Sequence, residues 1–180
     1  NTREHHYKIT GYADADGRLL GVEADVAVDV GAYSVWPLSD CLESAQIASI
    51  LPGPYLMPYY SCRTLSVATN KPPFTPYRGV ARTGVCFAIE LIIDALAREI
   101  GREPYEVRLA NLVQPGQMPF TNITGKLFDS GDYPESVRKA VEAIDLAALR
   151  RREERQLLER HVVAQAFGVK ADAGRGKESD

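Results

Sequence analysis

Apolar and polar residues alternate along GVEADVAVDVGAY, residues 21–33. Val22, Ala24, Val26, Val28 and Val30 fall on one side and Glu23, Asp25 and Asp29 on the other, the period-two signature of a half-buried strand. A second alternating stretch, 7–12, precedes 19–30 with DADG between them, and Asp16-Gly17 is a favourable hairpin turn. The first third is therefore predicted to be an antiparallel β-hairpin. Residues 39–51 predict a short helix with Ser39 or Asp40 as its N-cap, stopped by Pro52-Gly53-Pro54. A further strand pair or extended stretch is predicted over 59–69. The segment NKPPFTPYRG then carries three prolines in ten residues, which predicts a stiff, extended loop that crosses another element instead of joining a ladder.

The period changes after that loop. Val85, Ala88, Ile89, Ile92, Leu96 and Ile100 recur at helical spacing over 83–100, with Phe87, Leu91 and Ile93 read as widening the buried face. Glu90, Asp94 and Arg98 make one polar stripe, read as solvent-facing, and Gly101 ends the helix. EPYEVRLANLV predicts a second helix with Pro104 in its first turn. Residues 114–134 form a loop long enough to be functional or mobile. Helices are predicted over 134–144 and 145–161, the latter with the charged run RRREERQLLER as a solvated face. The tail ADAGRGKESD has the composition of a disordered end. The expected fold is α+β: a small antiparallel or mixed sheet over about 6–70, packed by the central helix 83–100 and further C-terminal helices.

Composition narrows the picture. The chain has 180 residues, 45% hydrophobic and 25% charged, enough apolar material for a real core, and a net charge of -3 that gives no footprint for nucleic acid. Cys41, Cys62 and Cys86 are odd in number and lack metal-site spacing, so they read as free, mostly buried thiols, Cys86 as a core residue. No stretch approaches the roughly 18 apolar residues of a membrane span, and the polar start NTREHHYK has no leader pattern. A cytoplasmic location, and a piece of a longer protein, are expected.

The candidate chemistry lies in TPYRGVARTG, where Arg78, Gly79 and Arg82 immediately precede the central helix. A helix start has unpaired amides and partial positive charge, so two added guanidinium groups point to an anion. The plainer alternative has both arginines capping carbonyls or pairing with acids such as Asp129 and Asp132. Glu90 and Asp94 read as surface acids instead of an acid–base pair. His5 and His6, adjacent on a strand, point to opposite faces and so read, with Glu4, as a polar entry to the sheet and not a metal cluster. DSGDY, 129–133, reads as a helix cap.

Four segments in this order resemble the molybdenum-binding large subunit of the xanthine dehydrogenase, aldehyde oxidoreductase and carbon monoxide dehydrogenase family. They are YADADGRLLGVEADVAVDVGAYS, PYRGVAR, PYEVRLANL and GKLFDSGDYPESVRKAVE. The resemblance spans roughly 3–150 and implies that 1–150 is part of a molybdopterin-binding domain, with 151–180 a divergent charged helix and disordered tail. It implies a molybdenum–pterin cofactor, molybdopterin or its cytosine dinucleotide, near Tyr77, Arg78 and Gly79, with Arg78 in the immediate surroundings of the metal. Gln46 falls where purine oxidases carry a substrate-binding arginine, and Val80 where they carry an aromatic residue, so both become substrate-pocket residues and purines become poor substrates. Gly79 stands where the copper-containing carbon monoxide dehydrogenases have cysteine, which argues against that type.

The family's catalytic glutamate and pterin loop belong to segments this sequence lacks, so no catalytic residue is assigned within the chain. Its partners would be the remainder of the molybdenum subunit and iron–sulfur and FAD domains or subunits. The parent would hydroxylate an aldehyde or N-heterocycle with water, and the chain alone would be inactive and without cofactor. Two alternatives stay open: a non-catalytic module binding an anion or phosphate, and an interaction protein working through its charged C-terminal helices.

Overall fold

The computed structural model describes residues 4–35 and 40–166. The expected Ser39 cap and the tail 171–180 lie outside them. The hairpin forms as the alternation predicts: β1 (His5–Ala13) pairs antiparallel with β2 (Leu19–Gly31). Asp14 organises the turn, its Oδ1 accepting from the amides of Asp16 at 2.9 Å and Arg18 at 2.8 Å. Helix α1 (Leu42–Ile50) follows, and then a single strand, β3 (Tyr59–Ala68), running parallel to β2. The sheet is thus mixed, in the order β1-β2-β3. Its parallel pair needs a crossover, which α1 supplies. The N-cap of α1 is Cys41, not the expected Asp40, and the Cys41 side chain makes no capping bond.

Val22, Ala24, Val26, Val28 and Val30 bury the sheet's inner face, whereas Glu23 and Asp25 look outward. Tyr12 and Tyr59 donate to the two Glu23 oxygens from either side, both at 3.1 Å, and Arg63 pairs with Asp25 at 2.7 Å. Such exposed cross-strand pairs fix register more than they stabilise. Helices α1 and α2 (Arg82–Glu99) cover the inner face, with Ile47 of α1 and Ile93 of α2 fully buried. Truncating a residue such as Ile93 to alanine costs about 2–5 kcal/mol in a packed core.

Helix α2 buries Val85, Ala88, Ile89, Ile93 and Ala97. Phe87 and Leu91 do not widen this face; they are 68% and 48% exposed. At 100° per residue both lie opposite Val85, on the side of Glu90 and Asp94. The polar stripe is not simply solvated either. Arg108 of α3 (Pro104–Asn111) bonds Glu90 Oε2 at 2.6 Å and Asp94 Oδ1 at 2.8 Å, and Tyr55 donates to Glu90 Oε1 at 2.8 Å. Burial alone would lower the Arg108 pKa, but its bonds to Asp94 and Glu90 outweigh this and hold it above the ordinary value. Burial first, then the Glu90 charge, raises the Tyr55 phenol, so it remains a donor.

Two buried asparagines tie loops to this frame. Asn111 accepts from the Leu19 amide at 2.8 Å and donates to Gly17 O and Val107 O, both at 2.7 Å, stapling α3 to the β1–β2 turn. Residues 114–134 are not bare loop. They contain a short 3-10 turn (Pro115–Gln117) and a small hairpin of β4 (Phe120–Thr121) and β5 (Leu127–Phe128). Asn122 Oδ1 accepts from the amides of Thr124 and Lys126, and its Nδ2 donates to Gly53 O at 3.1 Å. Asp132, as expected, caps α4 (Tyr133–Ala143), accepting from the Glu135 amide at 2.8 Å.

The chain divides into a unit of residues 1–137 and a second of 138–180. Within the second, Asp145 accepts from the Ala148 amide at 3.1 Å to start α5 (Leu146–Ala166). The charged residues 150–155 are exposed, as the sequence predicts for a solvated face. No helix among the described residues is long and apolar enough to cross a membrane.

Replacing Arg108 with methionine removes the guanidinium that Glu90 and Asp94 share, leaving Glu90 with Tyr55, and should cost about 1.5–3 kcal/mol, the range for hydrogen bonds to charged groups; urea denaturation of Arg108→Met checks it. A pH-dependent contribution comes from Asp29, which bonds Lys71, Thr69 and the Gly31 amide and so falls from 3.8 to about 2. A depressed carboxylate stabilises fully above its unfolded pKa and loses that contribution as pH falls through its folded pKa. The difference in urea midpoint between wild type and Asp29→Asn should therefore narrow as the pH falls from 3.8 toward about 2. A constant difference across that window would show that the charge does not matter.

Candidate functional site

The 69–81 segment does cross another element, the C-terminal end of β2. Thr69 donates to Gly31 O at 2.9 Å, Ala32 to Lys71 O at 2.9 Å and Phe74 to Val30 O at 3.3 Å. Gly31 has φ +80, and a Cβ there would stand 2.5 Å from Pro72 O. Only glycine satisfies both the left-handed backbone and that approach. The prolines supply stiffness while leaving few donors to satisfy, so the loop arrives at Tyr77 in a defined path.

There the chain turns sharply. The Val80 amide donates to Tyr77 O at 2.8 Å and the Arg82 amide to Gly79 O at 3.0 Å. Gly79 has φ +103 and Val80 φ +49. A β-branched residue in the left-handed region is strained, a condition concentrated at sites where geometry serves function. Among the described residues, nothing beyond its chain neighbours lies within 4 Å of the position a Cβ would take on Gly79. Open space beside a residue without a side chain lets an external group come close to backbone.

Helix α2 begins directly after this turn. Its N-cap is Ala81, no side chain caps it, and its first turn contains no acid. The Arg82 amide is taken by Gly79 O, but no acidic side chain in the first turn offsets the positive end of the helix dipole. Arg78 and Tyr77 are exposed, Tyr77 by 76%. Among the described residues no carboxylate pairs with Arg78. Arg82 makes one long bond, 3.4 Å, to Gly79 O. Pairing with Asp129 or Asp132 does not occur; Asp129 accepts from Ser130 and Asp132 caps α4. Uncapped amides, open space and an uncommitted guanidinium together fit an anionic group, the molybdenum–pterin centre included.

Sequence reasoning missed what holds this turn in place. His5 is not a solvated entry to the sheet: its side chain is 6% exposed, with Nε2 3.2 Å from Oε1 of the fully buried Glu43. His6 points outward, as the alternation requires. Tyr7 OH lies 3.2 Å from His5 Nδ1. Burial first, and the Glu43 charge second, raise the Tyr7 phenol well above its usual range. The His5 ring thus lies between the Tyr7 hydroxyl and the Glu43 carboxylate. Against this ring packs Gly84 of α2, where a Cβ would stand 2.5 Å from His5 Nδ1. No local signal marks such a pair, since Glu43 and His5 are 38 positions apart.

The structure places the remaining candidates unevenly. Val80 is half-buried in the turn itself. Gln46 is half-buried on α1, where its carbonyl accepts from Ser49 Oγ at 3.1 Å. Cys86 is exposed, not core, as is Cys41, while Cys62 is half-buried with a thiol pKa raised by burial. Among the described residues no three His, Cys, Asp or Glu side chains gather as a metal site.

Comparison with known proteins bears on this geometry. The molybdopterin cofactor-binding domain matches residues 1–112. The large subunit of nicotine 6-hydroxylase from Paenarthrobacter nicotinovorans is 32% identical over 155 residues, covering 86% of this chain and 19% of that protein. The carbon monoxide dehydrogenase large chain of Hydrogenophaga pseudoflava is 31% identical over 154 residues, 82% of this chain and 19% of that one. Among solved structures, quinoline 2-oxidoreductase from Pseudomonas putida 86 superimposes with a TM-score of 0.81 at 33% identity, covering 87% of this chain and 20% of that chain. The chain thus spans about one fifth of the length of these relatives.

Gly84→Ala should lower stability by about 1–3 kcal/mol, the cost of forcing a methyl into a packed contact. Gly79→Ala meets no neighbour and should cost only the left-handed backbone penalty of about 1–2 kcal/mol. Pairing each with His5→Ala separates the two: the second change should relieve Gly84→Ala in thermal denaturation and leave the Gly79→Ala deficit unchanged.

Proposed function

The chain belongs to the molybdopterin cofactor-binding domain family, and on that premise we propose that it is a piece of the large subunit of a molybdenum hydroxylase. The parent enzyme inserts oxygen from water into an aldehyde or N-heterocycle, and residues 1–150 are its contribution to the molybdopterin-binding domain. The observation that carries the reading is the uncapped start of α2 beside the open, strained turn at Gly79 and Val80. A molybdenum–pterin centre, when bound, supplies the two-electron redox chemistry.

The chain's own residues bind and orient. Gly79 removes the side chain that would keep an anionic ligand off the backbone, Arg78 offers a fixed positive charge with five donors, and Tyr77 adds an exposed aromatic wall. The leading amides of α2 add dipole to that charge, which is worth more once the rest of the subunit excludes water. Val80 and Gln46 border the substrate; without a charged group at Gln46, anionic purines are held weakly. The general base, the pterin loop, and the iron–sulfur and flavin electron carriers reside on other segments or subunits. Gly79 in place of cysteine sets the parent apart from the copper-containing carbon monoxide dehydrogenases. The parent is cytoplasmic, and the isolated chain neither turns over nor retains cofactor.

The same uncommitted Arg78 would serve a phosphate-binding module without catalysis. Elemental and pterin analysis of the longer parent beside this chain separates the two. Molybdenum and pterin in the parent, with Arg78→Ala lowering molybdenum content or hydroxylation by about tenfold or more, support the hydroxylase. A metal-free parent retaining organic phosphate supports the module, and hydroxylation of any aldehyde or heterocycle by the 180-residue chain alone would overturn the assignment of the base to another segment.

A further inference from the structure

A second concave feature lies one turn along α2 from the Gly79 turn. A pocket of about 370 Å³ opens between α2 and the β4–β5 hairpin. Val85 and Ile89 of α2, Leu51 after α1, and Leu127 and Phe128 of β5 make its apolar walls. The charged lining residues are Arg82, Glu90 and Lys126. Glu90 is already committed, with one oxygen on Arg108 and the other on Tyr55. Among the described residues the Arg82 side chain has one bond, the long one to Gly79 O, and no carboxylate pairs with Lys126. The charge left for an occupant is therefore positive.

Past Cys86 and Glu90 on the pocket's rim, further apolar surface is exposed on α2. Cys86 lines the pocket and is exposed, Leu127 is 67% exposed, and Phe87 and Leu91, neighbours at i and i+4, form an uncovered strip on the outer face of α2. A small ligand could fill the pocket but could not cover that strip. An extended or helical stretch of polypeptide could do both, by placing one anchor side chain in the pocket and lying along the helix.

We infer that this pocket seats an apolar side chain flanked by a carboxylate, carried on a part of the larger subunit that this chain does not include. The inference rests on reading the chain as one fifth of a longer polypeptide, as its relatives' lengths imply. The apolar walls take the anchor, and Arg82 and Lys126 receive the acid. Cys86 lies under the docked segment.

The pocket can be probed in the 180-residue chain with 8-anilinonaphthalene-1-sulfonate, which joins an aromatic body to an anion, and with neutral N-phenyl-1-naphthylamine. One saturable site for the sulfonate is expected. Cys86→Trp, which fills the pocket from an exposed position, should weaken it by about tenfold or more, and Lys126→Gln by about three- to tenfold while sparing the neutral dye. Equal affinity for the two dyes, or sulfonate binding indifferent to Cys86→Trp, would overturn the site.

The occupant is tested by N-ethylmaleimide labelling of Cys86, read by peptide mass spectrometry. Cys86 should label readily in the chain and at least about tenfold more slowly in the parent, as a covered site requires. Equal labelling in both sinks the assigned occupant. A molybdenum-free parent with Cys86 protected would reject the hydroxylase reading and keep this one; a molybdenum-loaded parent with Cys86 reactive would do the reverse.

Discussion

Everything near the candidate site depends on how closely α2 can lie against β1. Gly84 lets the first turn of the helix press on the His5 ring, and Gly11 lets Ile92 and Leu96 settle onto the strand two turns later. A side chain at either glycine would lift that end of the helix. With both contacts made, α2 has one height and one tilt over the sheet, and the turn at Gly79 is delivered to a fixed place. The proline-stiffened approach from Gly31 reaches the same turn from the other side. A strained Val80 persists because both flanks are held.

The second organising feature is the way polar groups are settled inside an apolar frame. Asn111 and Asn122 spend their amides on backbone groups of distant loops, and Arg108 gathers two acids of α2 beside Tyr55. His5 and Glu43 bring a potentially charged pair to the base of α2. The two asparagines satisfy backbone groups that would be costly to bury alone, and each arrangement joins elements far apart in sequence. By contrast, the surface at Phe87, Leu91 and Leu127 is left apolar and open. Polar contacts thus tie the piece together internally, while part of its apolar surface is left over, as a fragment of a larger core would leave it.

Much of the fold was legible without coordinates, and for a physical reason. The strand alternation at Val22–Val30 and the helical spacing at Val85–Ile100 are local patterns whose period alone dictates geometry. The exposed Arg78 and the open turn before α2 were legible too, because Arg78, Gly79 and the helix start are contiguous and a helix terminus has the same electrostatics wherever it occurs. Contiguity failed as a guide where a side chain's surroundings come from elsewhere. Glu90 and Asp94 looked like a solvent stripe until α3 brought Arg108 across. Cys86, flanked by Val85 and Phe87, looked like core, but a neighbour's hydrophobicity does not set a residue's own angle on the helix.

By itself, then, the sequence determined the elements, their amphipathic faces and the concentration of positive charge before α2, since each follows from near-neighbour sterics and periodicity. Only the tertiary structure decided that β3 runs parallel to β2, that His5 meets Glu43, and that β5 closes one side of a pocket on α2. Those outcomes depend on which distant surfaces can approach without a clash or an unsatisfied polar group, and no local pattern encodes that.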